Sequence, residues 1–454
     1  MPLSEAASLL YTRYDGADVL FKGISTDTRT LETGNLFVAL QGPNFDGHEH
    51  LEVALSRGAA AAAVSESVAS PLPLLRVADT RIALGQMAKQ WRRRFDIPVV
   101  GITGSNGKTT VKEMLAAILS QVGKTLSTAG NFNNDIGLPK TLFRLDDSDQ
   151  FAVIEMGANH AGEIAYLASL AMPSVAIVNN AGPAHLEGFG SIEGVARAKG
   201  ELFESLRGQG TAIINADDAF ASEWRKAAGR CEVIDFGIEK KAMVSAEVEL
   251  HSRTTQLVVT TPKGNFTAIL ALPGQHNVMN ALAATAAAVA LDVDLELIAA
   301  ALSSLQPVSG RLQMLPGKQG SGLIDDSYNA NPASLKTALA VLDQQPGEHW
   351  LVLGDMGELG SDSEQLHQRM GVLASDSGVS RLFVIGPLAA HAAHAFGDKA
   401  VAFERMDDLC AAVDTALHQG VTLLVKGSRA MSMERVINAL RTDKEGSDHA
   451  GISR

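Results

Sequence analysis

The stretch GITGSNGKTT at residues 101–110 holds the residue types from which a phosphate cradle is built. Glycines let backbone N–H groups turn inward onto phosphate oxygens, and a helix opening behind them adds a favourable dipole. The candidate cradle is Gly104, Ser105, Asn106, Gly107, Lys108, Thr109 and Thr110. The Lys108 ammonium has the reach to bridge β- and γ-phosphates of ATP, and the Thr109 hydroxyl suits Mg2+. A strict P-loop needs Gly five residues before the Gly-Lys pair, where this chain has Ile102. The alternative is a Gly-rich turn that binds nothing.

Other chemistry-bearing residues stand at the ends of apolar runs. FAVIEM (151–156) contains Glu155, and a carboxylate at the carboxyl end of a parallel strand beside such a loop is placed to hold Mg2+. It could equally be an acidic residue that merely ends a strand. The run at 174–179 leads into a loop with His185, and a lone loop histidine is ordinarily solvated. Lys199 reads as a helix-surface lysine. Asn277 reads as the N-cap of an Ala-rich helix over 277–291. Arg311 offers a planar fork of donors suited to phosphate, or to a surface salt bridge. Asp325 and Asp326 precede a helix that begins near Pro332, where a solvated turn is the plain alternative. Asn133 and Asn134 lie in a loop rich in amide donors and acceptors.

These residues need a frame that gathers strand ends and helix starts. Apolar runs at 97–103, 151–156, 174–179 and 211–215 alternate with helical patterns, predicting a largely parallel sheet with helices on both faces. Behind the glycine loop, Val111, Met114, Leu115, Ile118, Leu119 and Val122 share one helical face, with Gly123 at the expected C-cap. Runs at 246–250, 255–260 and 266–272 predict an antiparallel appendage. A linker is expected over 305–322, then further strands at 322–325, 350–353, 382–385 and 422–425. The predicted class is α/β in three domains. Residues 1–90 form an N-terminal α/β unit, with a strand at 36–40. Residues 91–307 form a central P-loop-type, mostly parallel sheet with the appendage. Residues 308–440 form a C-terminal Rossmann-like unit, and 441–454 a polar tail expected to be disordered.

The chain carries 38 basic against 51 acidic side chains, a net charge of −13, so no nucleic-acid partner is expected. Two cysteines, Cys231 and Cys410, are too few for a disulfide framework and fit a reducing compartment. No signal-peptide pattern opens the sequence and no apolar run reaches the ~18 residues of a membrane span, so a cytoplasmic protein is expected.

TGSNGKTT (103–110) resembles the ATP loop of the Mur ligases, whose members carry this shorter form. EMGAN (155–159), AKGE (198–201) and HNVMNALAA (276–284) resemble motifs of the same family, and the likeness covers the chain except for its tail. It implies ATP-dependent amide formation between UDP-N-acetylmuramoyl-tripeptide and D-alanyl-D-alanine, through an acyl phosphate, in peptidoglycan synthesis by a monomer. Lys108, Lys199 and His185 would be catalytic, and Thr109, Glu155 and His185 magnesium ligands. Lys199 would be carbamoylated, turning a cation into an anion. Asn277 and Asn280 would face adenine, Arg311 phosphate and Asp326 ribose. Ser25, Thr26, Arg29 and Asp46 would serve the UDP-sugar, and Asn133 and Asn134 the sugar and peptide. The loops at 353–360 and 425–429, the second with Lys426, Ser428 and Arg429, follow strands and would meet the dipeptide.

Two other readings compete. Folylpolyglutamate synthases have a similar loop, but theirs stands much nearer the N-terminus than the 96 residues before Ile97 allow. A P-loop switch or motor would bind nucleotide without forming amides, and would leave EMGAN, AKGE and HNVMNALAA unexplained. The chain also lacks the DNPR-type string of the sister ligase that adds a diamino acid, which favours the dipeptide-adding branch.

Overall fold

Three α/β units follow one another along the chain, and the computed structural model describes residues 1–183, 185–251 and 254–442. The first unit carries a five-stranded sheet in the order Arg13–Asp15, Leu74–Arg76, Ala61–Val64, Asn35–Val38, Gly23–Ser25. Only its first pair is antiparallel. Asn35–Val38 and Ala61–Val64 are buried throughout, as strands covered on both faces must be. The first of these ends at Val38, two residues short of the predicted strand.

The central sheet has six strands, all parallel, in the order Glu232–Phe236, Thr211–Asn215, Val175–Val178, Val99–Thr103, Phe151–Glu155, Thr125–Ser127. Val99–Thr103 lies inside it, flanked by Val175–Val178 and Phe151–Glu155. The loops leaving these three strands therefore converge at one end of the sheet, where such folds bind ligands. Helices Lys108–Leu119 and Gln275–Ala290 pack on one face, and Glu163–Ala171, Ile192–Glu204 and Ala221–Ala228 on the other. Six alanines between Ala281 and Ala288 are almost completely buried, and their small side chains let the Gln275–Ala290 helix lie close to its neighbours. The appendage is antiparallel: Ser245–Leu250, Thr255–Thr261 and Gly264–Leu270, with Leu257 and Val259 turned inward.

In the C-terminal sheet the order is Gln313–Pro316, Gly322–Asp326, Val421–Lys426, Glu348–Gly354, Val379–Ile385, Ala400–Phe403, and only the first pair is antiparallel. Pro332 opens the following helix at its first position. Asn331 caps it in a capping box with Ser334.

Several expectations need correction. The helix behind the glycine loop ends at Leu119; beyond it Val122 N bonds back to Leu119 O, and the Val122 side chain is exposed rather than on the apolar face. The Ala-rich helix starts at Gln275 after Gly274, so Asn277 lies within the helix and is not its cap. The linker is shorter than 305–322, because Gln313–Pro316 pairs with Gly322–Asp326 as an edge strand. Thr125–Ser127, Glu232–Phe236 and Ala400–Phe403 escaped prediction; each is an edge strand that is not buried along its length. Of the predicted tail, Arg441 bridges to Gly317 and Thr442 N donates to Pro316 O, so these two residues are ordered onto that edge. Residues 443–454 lie outside the described residues. No helix among the described residues is long and apolar enough to cross a membrane.

Candidate active site

The loop between Val99–Thr103 and Lys108–Leu119 is held by asparagines from neighbouring strand ends. Asn180 accepts from Asn106 N (2.9 Å) and donates to Asn106 O (3.1 Å), while Ser105 N donates to Asn180 O. Asn179 donates to Asn106 O and to Asn280 Oδ1 (2.9 Å), and Asn280 donates to Asn277, whose amide is tied to Pro273 O. Gly107 is required here twice over. Its φ is +80°, and an added β-carbon would sit 2.3 Å from Asn280 Oδ1. Lys108 Nζ donates to Gly104 O (2.8 Å). Burial lowers the Lys108 pKa, an effect opposed by Glu155 and reinforced by Arg311.

Beside this loop Glu155 is 2 % exposed. It accepts from Thr109 Oγ1 (2.8 Å) and Asn133 Nδ2 (2.8 Å), and Thr128 Oγ1 receives its backbone N–H. Arg311, from the C-terminal side, donates to Thr109 Oγ1 (2.9 Å) and stacks over the Tyr328 ring at 4.4 Å. The hard oxygen donors of Thr109 and Glu155, set directly behind the glycine loop, match the preferences of Mg2+.

Lys199 is 2 % exposed, so the helix-surface reading of the sequence is overturned. Its ammonium has no hydrogen-bond acceptor among the described residues and lies 6.0 Å from the Phe189 ring. Burial, and then Lys108, push its pKa well below the ordinary lysine value. His185 sits at φ +54° and its Nδ1 meets Glu358 Oε2 of the C-terminal unit at 2.6 Å. That pair holds the Glu358 carboxyl below its usual range. A third contact between the units, after Arg311–Thr109 and His185–Glu358, joins Asn331 Nδ2 to Asn106 Oδ1 (2.9 Å).

A cleft of about 790 Å3 opens over these groups, lined by Lys108, Thr109, Glu155, His185, Lys199, Arg311 and others. Asn277, Asn280, Asp326, Lys426, Ser428 and Arg429 line it too. Their side chains are partly engaged already. Asp326 Oδ2 accepts from Lys426 Nζ (2.5 Å), and Asp326 Oδ1 from Leu312 N; Lys426, 1 % exposed, is thus a partner of Asp326 rather than a free cation for the dipeptide. Arg429 pairs with Glu434. His276, which opens the HNVMNALAA string but was given no role there, faces the same cleft, and loss of solvent holds its pKa down to about 4. Asn134 also lines the cleft but spends its Oδ1 on the N–H groups of Ile136 and Gly137.

Ser25, Thr26, Arg29 and Asp46 do not line this cleft. Ser25 Oγ donates to Asp27 O, and Arg29 grips Asp27, holding its carboxyl down to about 2. Asp46 accepts from His48 Nδ1 (2.6 Å), while His48 Nε2 accepts from Ser65 N (3.0 Å). Asp46, His48 and Glu66 are close enough to share a cation, yet both His48 nitrogens are used internally. Asn179 and Asn180 were missed as site residues, although both follow a strand directly, which was the available signal.

The sequence matches the Mur ligase middle domain over residues 102–288, the Mur ligase glutamate ligase domain over 310–429 and the Mur ligase family catalytic domain over 20–92. It is 44% identical over 447 residues to the UDP-N-acetylmuramoyl-tripeptide–D-alanyl-D-alanine ligase of Escherichia coli K12, covering 97% of this chain and 98% of that one. Its fold superposes on a crystal structure of MurF from Acinetobacter baumannii with a TM-score of 0.90 at 37% identity, over 96% of this chain and 98% of the other. MurF ligase from Thermotoga maritima, solved in complex with ADP, gives 0.83 at 28% identity over 93% and 98%. With the glycine loop, the Thr109–Glu155 pair and these matches in three successive segments, the chain belongs to the Mur ligase family and is an ATP-dependent peptide ligase.

Proposed function

We propose that this enzyme joins D-alanyl-D-alanine to UDP-N-acetylmuramoyl-tripeptide in the cytoplasm, at the expense of ATP. The observation that carries the reading is the meeting, in one cleft, of the glycine loop, the Thr109–Glu155 pair, buried Lys199 and Arg311 of the next unit. In the proposed division of labour, residues 1–90 hold the UDP-sugar and 91–307 hold ATP. Residues 308–440 close on the nucleotide and take the dipeptide.

Lys108, Arg311 and the loop N–H groups neutralise the γ-phosphate as the terminal carboxylate of the tripeptide attacks phosphorus. A carboxylate oxygen bonds to phosphorus, ADP leaves, and an acyl phosphate results. The dipeptide's ammonium group loses a proton to solvent, the resulting amine attacks the carbonyl carbon, and phosphate departs with the carboxylate oxygen as the nitrogen sheds a second proton. Thr109 and Glu155, with His185, would hold Mg2+, which when bound supplies further positive charge at the phosphate oxygens. Asn277, Asn280 and Asp326 would hold the nucleoside, and Asn133 and Asn134 the sugar and peptide. Ser25, Thr26, Arg29 and Asp46 would contact the UDP-sugar, and Ser428 and Arg429 the dipeptide.

Lys199 fits carbamoylation. Its lowered pKa favours the neutral amine, the form that adds to carbon dioxide with loss of a proton, and a carbamate would relieve its lack of a partner. The test of the whole reading is phosphate release from ATP. It should require both the UDP-tripeptide and the dipeptide; rapid release with neither present would favour a nucleotide switch instead.

A further inference from the structure

Four carboxylates line the cleft among the described residues: Glu155, Glu163, Asp326 and Glu358. Three have both oxygens engaged. Glu155 accepts from Thr109 and Asn133, Asp326 from Lys426 and Leu312 N. Glu163 accepts from Asn159 N (2.7 Å) and the His160 ring (3.1 Å). Glu358 differs. Its Oε2 meets His185, its Oε1 has no partner among the described residues, and its side chain is 58% exposed. The backbone holds it there at φ +62°, a conformation uncommon for any residue but glycine.

We propose that Glu358 Oε1 holds the ammonium group of the incoming amine substrate, with His185 fixing the carboxylate through its other oxygen. This rests on the amide-ligase reading above. A dipeptide enters as a zwitterion, so a site that removes it from water must supply an anion for one end and a cation for the other. The neighbouring loop offers the cation. A β-carbon added at Gly357 would lie 3.9 Å from Ser428, Ser428 N donates to Asp355 O (2.9 Å), and Arg429 follows directly. Two neighbouring loops of the C-terminal unit thus carry opposite charges, Glu358 on one and Arg429 on the other, and Arg429 would exchange its Glu434 partner for the incoming carboxylate. Through His185 the anionic one reaches the loop that follows Val175–Val178, beside the glycine loop. The amine would therefore be delivered on the side where the acyl phosphate forms.

The experiment uses Glu358→Gln, which keeps the size of the side chain and removes its charge. Coupling of D-alanyl-D-alanine is measured beside hydroxamate formation from hydroxylamine, a small acceptor that is uncharged near neutral pH. The expected result is a KM for the dipeptide raised about ten- to a hundredfold, the scale of a lost charge-assisted hydrogen bond. The ratio of dipeptide coupling to hydroxamate formation should fall by a similar factor at sub-saturating dipeptide, and Glu358→Asp should recover part of it. An unchanged KM for the dipeptide would overturn the assignment. So would loss of both reactions by one factor, since Glu358 would then be only a latch between units. Wild-type enzyme that forms hydroxamate but couples no dipeptide would overturn the substrate reading beneath it.

Discussion

A lysine buried to 2 % exposure without an acceptor costs stability, and Lys199 is such a residue. Its pKa is lowered in the folded chain, so over a range of pH the unfolded chain binds a proton that the folded one does not. Stability must then rise with pH until the unfolded lysine value of ~10.4 is passed. Lys199→Met should remove this dependence. Chemical denaturation in CO2-depleted buffer should find the variant more stable than wild type by about 1–3 kcal/mol at pH 7, the scale of an unsatisfied buried donor. The gap should narrow towards pH 10, while ligation is abolished. A variant less stable at pH 7 would refute the account. Gly107→Ala tests the opposite kind of residue. With φ at +80° and Asn280 Oδ1 in the way, it should cost about 1–3 kcal/mol in urea denaturation and raise the KM for ATP. The positions of Lys108 and Thr109 were legible from the sequence because local order (strand, glycine turn, helix) sets them, and that of Glu155 because it ends a separate apolar run. The burial of Lys199 was not, because the groups around it, Phe189 and Lys108 among them, arrive from other turns of the chain.

At the scale of elements, small side chains and caps set the positions of the catalytic loops. The Gln275–Ala290 helix reaches the glycine loop because its alanines let it approach closely, and Asn280 then braces Gly107 and Asn179. Ala284→Leu, at a fully buried position, should overpack this contact and lose about 1–3 kcal/mol in denaturation. Asn331→Ala should lose about 1 kcal/mol through its capping box alone, and the bond to Asn106 between units with it. Buried parallel strands such as Thr211–Asn215 were read correctly because they are continuous apolar runs. The edge strands of the larger sheets were not, since Gln313–Pro316 is defined by pairing with a later segment and ends in Pro316 followed by Gly317, signals usually read as loop.

For the whole molecule, the net charge of −13 opposes two anionic substrates, so binding must come from a few placed groups. Among the described residues, three side-chain hydrogen bonds or ion pairs cross between the central and C-terminal units: Arg311 to Thr109, Asn331 to Asn106, and Glu358 to His185. The order of the units was legible, since β–α alternation restarts after the linker. Which faces meet was not, since contacts such as Arg311 to Thr109 span 202 residues. Arg311→Ala should raise the KM for ATP about tenfold, the worth of one charge-assisted bond, in steady-state assays at fixed Mg2+. An unchanged value would remove Arg311 from the nucleotide site. In the proposed reaction one cleft activates a carboxylate with ATP and then passes it to an amine. The fate of a carboxylate oxygen tests this most directly. UDP-tripeptide labelled with 18O in its terminal carboxylate, turned over with ATP and D-alanyl-D-alanine, should release phosphate carrying one 18O atom per coupling. Unlabelled phosphate beside fully labelled product would contradict an acyl-phosphate route.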